Sequence, residues 1–545
     1  MNVLYCLRRA RMYHGDRVAI HYEDRMTTYR EFGAQVDCSA RKLAALGLRK
    51  GDRVAVWMLN SPEYLDLFFS IAMAGGIIVP LNTRWHINDM VFALRDSEAR
   101  FLFVDDRFAG LSAQVRELVS ELEAVLFCGA GTCPEAAVDF RLAEPDRDVV
   151  FEEPHEDDVV SIFYTSGTTG GPKGAMLTHR NVYANTVHSI LPPWGFNSDF
   201  VYLHAPPMFH LADAGSIHGL TLVGARHCFI ATFDPEALLQ AIQRYRITHV
   251  ALVPTMVNMV INHPRFADFD LSSVKRVSYG ASPMPLPLLK QAMEKLPGSQ
   301  FSQGYGMTEV ACLLTVLSAE DHGLEHADGR LRSAGKPVVG VEIRVVDNND
   351  LDVPVGAVGE VIARGPNVMK GYWKRPEVNA EVLRGGWMHT GDLGCFDEQG
   401  FLYILDRKKD MIKTGSENVY SPEVESVVCA HPAILEAAVI GVPDPKWGET
   451  IRAVVVLRPG AALTGDELIA WCRERLTAFK CPTSVVITDV LPKGGTGKVQ
   501  KAVLRERFGV GRGPCPAAGP PAGSPADLEQ RGQGAPRGPG GPPHS

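Results

Sequence analysis

The sequence predicts an α/β protein. A large N-terminal domain of layered α/β sheets carries a small β-rich subdomain, and a small α+β C-terminal domain follows. Three observations support this. Helix and strand signals alternate from the N-terminus to the region of Val274–Tyr279. Between Pro337 and Gly371 the text changes to short strand-like runs. After Asp406 a compact mixture of strand and helix signals runs to about Phe508.

Each element has a local reason. Thr28-Tyr29-Arg30-Glu31 is a capping-box pattern that opens a helix, and Gly47 stops it. Arg53–Met58 reads as a strand. Ser61-Pro62 supplies an N-cap and an N1 proline for the next helix. Leu67–Leu81 is apolar but broken by Ser70, Gly75, Gly76 and Pro80. It is shorter than the roughly 18 residues that a membrane-spanning helix needs, so it reads as a buried helix followed by a buried strand. Phe101–Val104, Val250–Val253 and Val274–Tyr279 are further short buried strands. The expected layers are therefore largely parallel sheets covered by helices. In the β-rich part, Val341–Val346 and Gly359–Ala363 are strands. In the last part, Ala437–Val442 and Ala453–Leu457 are strands and Gly465–Ala478 is the clearest helix. The expected division is 1–405, 406–510 and a tail, 511–545, in which about half the residues are Gly or Pro. Such a tail cannot bury enough apolar surface to offset its ordering entropy and is predicted to be disordered.

Composition narrows the function. A chain of 545 residues exceeds one small core. Its 46% apolar and 22% charged residues are ordinary for a soluble enzyme. A net charge of -8 gives no basic footprint for nucleic acid. Eleven cysteines are scattered with no CxxC pair, which fits free thiols in a reducing cytoplasm better than a disulfide framework or zinc site. Arg8 and Arg9 follow a very short apolar stretch, the wrong order for a signal peptide. No transmembrane segment is expected. Peripheral membrane contact and oligomeric state are left open.

The densest chemistry lies at Thr165-Ser166-Gly167-Thr168-Thr169-Gly170-Gly171-Pro172-Lys173-Gly174, directly after the strand-like run Val159–Tyr164. Glycines let backbone N–H groups converge on an anion. Hydroxyls donate to phosphate oxygens, and Lys173 adds a positive charge. Pro172 before the lysine and Gly174 after it depart from the P-loop pattern, so a P-loop NTPase is disfavoured.

This loop resembles the phosphate-binding signature of the adenylate-forming (AMP-binding) superfamily of acyl-CoA synthetases, adenylation domains and luciferases. Five further stretches match in the same chain order, so the resemblance covers most of residues 10–505. It implies a mobile C-terminal domain and a set of roles. Thr165, Ser166, Gly167, Thr168, Thr169, Gly170 and Lys173 would bind ATP phosphates, with Thr165 also near magnesium. In Tyr305-Gly306-Met307-Thr308-Glu309, Tyr305 would stack on adenine, Thr308 would bond the α-phosphate and Glu309 would support Mg2+. Asp392, in His389-Thr390-Gly391-Asp392, would hold the ribose hydroxyls, and Arg407 would contact ribose and phosphate. Gly280 and Ala281 would border adenine and the acyl group. His210, in Pro206-Pro207-Met208-Phe209-His210, would lie near the acid's carboxylate or its acyl chain. Lys409 would be the hinge. Gly415, Ser416, Glu417 and Trp447 would line the CoA tunnel, with Ser416 standing where glycine is more usual. Lys498, in Lys493-Gly494-Gly495-Thr496-Gly497-Lys498, would be the catalytic cation, and Lys493 is its weaker competitor.

The implied function is an ATP-dependent carboxylic acid–CoA ligase, an acid–thiol ligase using ATP, Mg2+ and coenzyme A. Leu211 stands where amino-acid-activating relatives carry Asp, although Asp213 is close by. This leans toward acids without an α-amino group. Medium- or long-chain fatty acids are the first expectation, and aryl acids in the manner of 4-coumarate ligases follow. Loading of a carrier protein, luciferase-like oxidation, and a non-catalytic nucleotide or acyl sensor are the alternatives.

Overall fold

The structure, a computed structural model, describes residues 1–165, 172–323, 329–415, 417–494 and 499–509. Ser166, Gly167, Thr168, Thr169, Gly170, Ser416, Lys498 and the 511–545 tail therefore lie outside the described residues.

Two large sheets form the body. One runs Gly371–Tyr372, Lys173–Thr178, Val159–Thr165, Ile77–Pro80, Arg53–Trp57, Ala99–Val104, Ala124–Phe127, Val138–Asp139. Its centre is parallel, with Arg53–Trp57 between Ile77–Pro80 and Ala99–Val104. The other runs Lys336–Pro337, Thr315–Leu317, Gln300–Tyr305, Arg276–Gly280, His249–Leu252, Val201–His204, Arg226–Phe229, Val18–Tyr22, Arg25–Thr28. It too is parallel at its centre and antiparallel at its edges.

The period of two along each strand sets the layers. Val54 and Val56 face one core while Ala55 and Trp57 face another. The first core is shared by both sheets. Val56 and Phe103 meet Ile20 and Tyr202 across Phe32, Phe69 and Ile217, which come from helices Tyr29–Ala45, Pro62–Met73 and Leu211–Val223. Each such fully buried side chain contributes about 1.5–3 kcal/mol of transfer free energy. Two outer helix layers cover the far faces, one of them built from Pro235–Tyr245, Pro254–Ile261 and Leu286–Lys295. The expected caps are present. Thr28 accepts from Glu31 N while Glu31 reaches back to Thr28 N, and Ser61 accepts from Tyr64 N.

The β-rich subdomain extends beyond the expected Gly371. Glu342–Val346, Gly359–Arg364, Met388–Phe396 and Leu402–Arg407 form one antiparallel sheet. The expected boundary after residue 405 falls inside its last strand. Gly371–Tyr372 leaves this sheet and pairs with Lys173–Thr178 on the edge of the first large sheet.

The C-terminal part is a sheet of Glu417–Val419, Ile412–Thr414, Gly448–Leu457 and Ile434–Asp444, with Ser484–Ile487 added parallel to Gly448–Leu457. The helix expected over Gly465–Ala478 ends at Arg473. Thr477 is extended (ψ 145°), and Ala478–Lys480 is a separate 3-10 turn. No described helix is long and apolar enough to cross a membrane. The ten described cysteines are free thiols.

Candidate active site

The phosphate-loop motif sits on a hairpin. Val159–Thr165 and Lys173–Thr178 pair antiparallel, with Thr165 opposite Lys173. The hairpin therefore delivers both ends of the loop to one place. The Thr165 hydroxyl donates to the Lys173 carbonyl at 3.4 Å. The Lys173 ammonium lies 5.6 Å from the centroid of the Tyr372 ring. That contact is within cation–π range and holds the charge near the hairpin's edge.

The second motif ends the strand Gln300–Tyr305 and continues into a 3-10 turn, Thr308–Val310. Thr308 and Glu309 are buried. Glu309 Oε1 accepts from the Tyr372 hydroxyl at 2.7 Å, and the Glu309 carbonyl accepts from Met369 N at 2.8 Å. Asn367, fully buried, donates to the carbonyls of Val310 and Leu313 and pins the loop beyond. Burial pushes the Tyr372 phenol up, with the Glu309 charge second, so it remains a donor.

The glycines here answer to space. A Cβ on Gly280 would lie 2.3 Å from the Gly304 carbonyl oxygen, and one on Gly306 would lie 1.8 Å from that of Cys312. Ala281 (φ 66°), Ala311 (φ 55°) and Cys312 (φ 122°) hold left-handed backbone just past these strands. Such costly conformations cluster at binding sites.

The third motif lies on Met388–Phe396. Thr390 Oγ1 donates to the Val361 carbonyl at 2.6 Å and accepts from Asp392 N at 3.1 Å. Asp392, buried, accepts from the Tyr305 hydroxyl at 2.6 Å and pairs with Arg407 Nε at 2.7 Å. Register places the two together, with Asp392 opposite Arg407. Burial raises the Tyr305 phenol, and Asp392 raises it further. Burial lowers the Arg407 guanidinium, but Asp392, Tyr305, Glu309 and Asp410 outweigh it, and the net shift is upward. Arg407 thus sits in the common field of both carboxylates.

His210 caps the helix Leu211–Val223, its Nδ1 accepting from Ala212 N at 3.0 Å. Asp213 is turned away from solvent. Its Oδ2 lies 2.6 Å from His204 Nδ1, His204 Nε2 lies 2.9 Å from His227 Nδ1, and all three residues are fully buried. Asp213 therefore holds the helix to the sheet. Its carboxylate is thereby committed to His204 inside the core.

In the C-terminal part, Lys408 and Lys409 are exposed in the turn between Leu402–Arg407 and Ile412–Thr414, and Lys408 pairs with Glu360 at 3.1 Å. Gly415 (φ 63°) donates its N–H to the Trp447 carbonyl at 2.7 Å, and a Cβ there would lie 3.2 Å from the Trp447 ring. Glu417 is exposed on the next strand, and Trp447 is 48% exposed. Lys493 is committed to Glu436 at 2.5 Å.

Thus Thr165, Lys173, Tyr305, Thr308, Glu309, Asp392 and Arg407 fall on hairpins, turns and strands joined by direct contacts or through Tyr372. Gly415 and Trp447 form a second group. Sequence reasoning missed Tyr372 and Asn367. Their signal is a lone Gly-Tyr-Trp and a lone Asn in loop text, whose partners lie more than fifty residues away.

Comparison with known proteins agrees with this geometry. The AMP-binding enzyme model matches residues 7–373, and the AMP-binding enzyme C-terminal domain model matches 423–498. The chain belongs to the AMP-binding enzyme family. It is 40% identical over 509 residues to a feruloyl-CoA synthase of an Amycolatopsis species, covering 92% of this chain and 98% of that one. Among solved structures, the o-succinylbenzoate CoA synthetase of Bacillus subtilis with ATP and a magnesium ion superposes with TM-score 0.79 at 32% identity, covering 91% and 98% of the two chains. ATP-bound MatB of Rhodopseudomonas palustris superposes at 0.83 and 31%, covering 93% and 99%. The protein is an adenylate-forming acid–CoA ligase that uses ATP, Mg2+ and coenzyme A.

The donor set suits magnesium. Glu309 Oε2 has no hydrogen-bond donor among the described residues, and no group of three His, Cys, Asp or Glu gathers among them. A cation here would take its other ligands from phosphates and water, the usual habit of Mg2+.

Proposed function

We propose that the acid is an aryl acid of the phenylpropenoid or benzoate kind, in place of the fatty acid that the sequence first suggested. The 40% relative is named for feruloyl-CoA and the Bacillus subtilis structure for o-succinylbenzoate.

The observation that carries the mechanism is the convergence of Glu309, Tyr305, Asp392 and Arg407 beside the Lys173 hairpin. In the first half-reaction a carboxylate oxygen attacks the α-phosphorus of ATP, and the bond to the β-phosphate's bridging oxygen breaks. Pyrophosphate leaves and acyl-AMP remains. Thr165, Lys173 and Thr308 orient the phosphates, together with Ser166, Gly167, Thr168, Thr169 and Gly170, which follow Thr165 in the sequence. Asp392 and Arg407 hold the ribose. Glu309 would hold a magnesium ion, which when bound would supply charge neutralisation to the phosphates. Lys498 stabilises negative charge that develops in the transition state. His210, at its helix cap, borders the acid's carboxylate, and Ala281 borders its body.

In the second half-reaction the unit beginning near residue 406 turns about Lys409. Gly415, Ser416, Glu417 and Trp447 line the path of the CoA thiol, which attacks the acyl carbonyl and displaces AMP.

The test is pyrophosphate release against ferulate, 4-coumarate, benzoates and fatty acids of graded length, each with and without CoA, with thioester read by mass spectrometry. Release confined to aryl acids and boosted by CoA supports the proposal. Release with long-chain acids alone refutes the aryl assignment, and release without thioester moves the acceptor to a carrier protein or oxygen. Lys498→Ala should slow adenylation by at least ~100-fold while leaving thioester formation from supplied acyl-AMP nearly intact.

A further inference from the structure

Tyr372 belongs to none of the motifs, yet it touches two of them. Its hydroxyl donates to Glu309 Oε1 at 2.7 Å, and its ring carries the Lys173 ammonium at 5.6 Å. Its own place is over-determined. Its backbone pairs with Ala175 across the sheet edge, its N–H donates to Asn379 Oδ1 at 2.6 Å, and its carbonyl accepts from Asn379 Nδ2 at 2.9 Å. Met369 N fixes the Glu309 backbone from the same segment at 2.8 Å. A tyrosine whose backbone is anchored by these three contacts brings a fixed donor to Glu309 Oε1 and leaves Oε2 for a ligand.

We propose that Tyr372 is a positioning residue for the magnesium–ATP complex. Its hydroxyl orients Glu309 toward the cation, and its ring aligns Lys173 with the phosphates. This rests on the proposed role of Glu309 as the carboxylate beside magnesium. A neutral donor suits the task, because it fixes the carboxylate without cancelling its charge. An outer donor of this kind typically changes metal affinity or activity by about 10–100-fold when removed.

Tyr372→Phe keeps the ring and the Lys173 contact and deletes only the hydroxyl. The experiment is ATP–pyrophosphate exchange with free Mg2+ titrated at saturating ATP and aryl acid, on wild type, Tyr372→Phe and Glu309→Gln. We expect the half-saturating Mg2+ concentration to rise about ten-fold in Tyr372→Phe and further in Glu309→Gln, with KM for CoA, read separately in thioester formation from supplied acyl-AMP, unchanged in Tyr372→Phe. A merely structural tyrosine would lower the melting temperature without moving the Mg2+ requirement. If Glu309→Gln shifts the requirement and Tyr372→Phe does not, the positioning role is refuted. If neither shifts it, the assignment of Glu309 to the cation fails first. Should Tyr372→Phe not fold, Asn379→Ala, which loosens the same backbone, must show a smaller shift in the same direction, and an unchanged requirement there refutes the proposal.

Discussion

Removing the Arg407 side chain should cripple nucleotide binding more than catalysis. The Asp392 side chain is 5% exposed, and its two oxygens are held by Tyr305 at 2.6 Å and Arg407 at 2.7 Å. Arg407→Ala leaves a buried carboxylate with one neutral donor and no compensating charge, beside which ATP must place a polyanion. A hydrogen bond to a charged group is worth about 1.5–3 kcal/mol. At about 1.4 kcal/mol per decade, that loss is a rise of about 10- to 150-fold in KM for ATP. Tyr305→Phe deletes a neutral donor and leaves Arg407 in place, so its effect should be smaller. Arg407→Lys should fall between, since an ammonium cannot reproduce both the Nε contact to Asp392 and the Nη1 contact to the Thr390 carbonyl. The assay is ATP–pyrophosphate exchange with ATP varied at fixed acid, with melting temperatures in parallel. A KM for ATP within two-fold of wild type in Arg407→Ala refutes the reasoning, as does a larger loss in Tyr305→Phe.

Two further outcomes follow from burial. Asp66, buried in the helix Pro62–Met73, is pushed up to about 7 by desolvation, which outweighs the lowering by the nearby Ser70 hydroxyl and by the hydrogen bond from Ser39 at 3.1 Å. The folded chain thus keeps a proton that the unfolded chain releases above its value of about 3.9. Wild type therefore loses about 1.4 kcal/mol per pH unit between about pH 4 and 7. Asp66→Asn lacks this slope and should gain on wild type by up to ~4 kcal/mol between pH 4 and 8. Urea unfolding of both proteins at several pH values checks it, and a constant difference would count against it. Trp447 is 48% exposed, so Trp447→Ala should change stability by under about 1 kcal/mol. It should nonetheless slow thioester formation from acyl-AMP with pyrophosphate exchange retained, and equal loss of both steps would remove Trp447 from the CoA path.

Much of the fold was legible because its signals are local. The capping box at Thr28, the Ser61-Pro62 start and the alternating faces of Arg53–Trp57 need only neighbouring residues to be read. The Gly465 helix was read too long because Glu474 and Leu476 continue a helical pattern, whereas the extended backbone at Thr477 breaks it. The site was legible as motifs but not as contacts. Tyr305 lies on one large sheet, Tyr372 on the edge of the other, and Asp392 on the four-stranded sheet. Their junction depends on how three sheets meet, and no spacing along the chain encodes that. For the same reason Asp213 looked available beside His210, while the fold commits it to His204.

That junction also explains why two carboxylates of one site are partnered differently. Each has a tyrosine phenol held protonated by burial. Glu309 has no cationic partner within ion-pair distance among the described residues, whereas Asp392 has Arg407. A phenol orients a carboxylate while leaving its full charge, and a guanidinium at 2.7 Å neutralises it. On the proposed assignment, Glu309 must attract a divalent cation and so keeps its charge. Asp392 must accept from uncharged ribose hydroxyls next to a polyanionic triphosphate and so has its charge compensated. Exchanging the partners, for instance by placing a lysine at Tyr372, should therefore weaken magnesium dependence and catalysis together, even if the lysine reaches Glu309 as well as the phenol does.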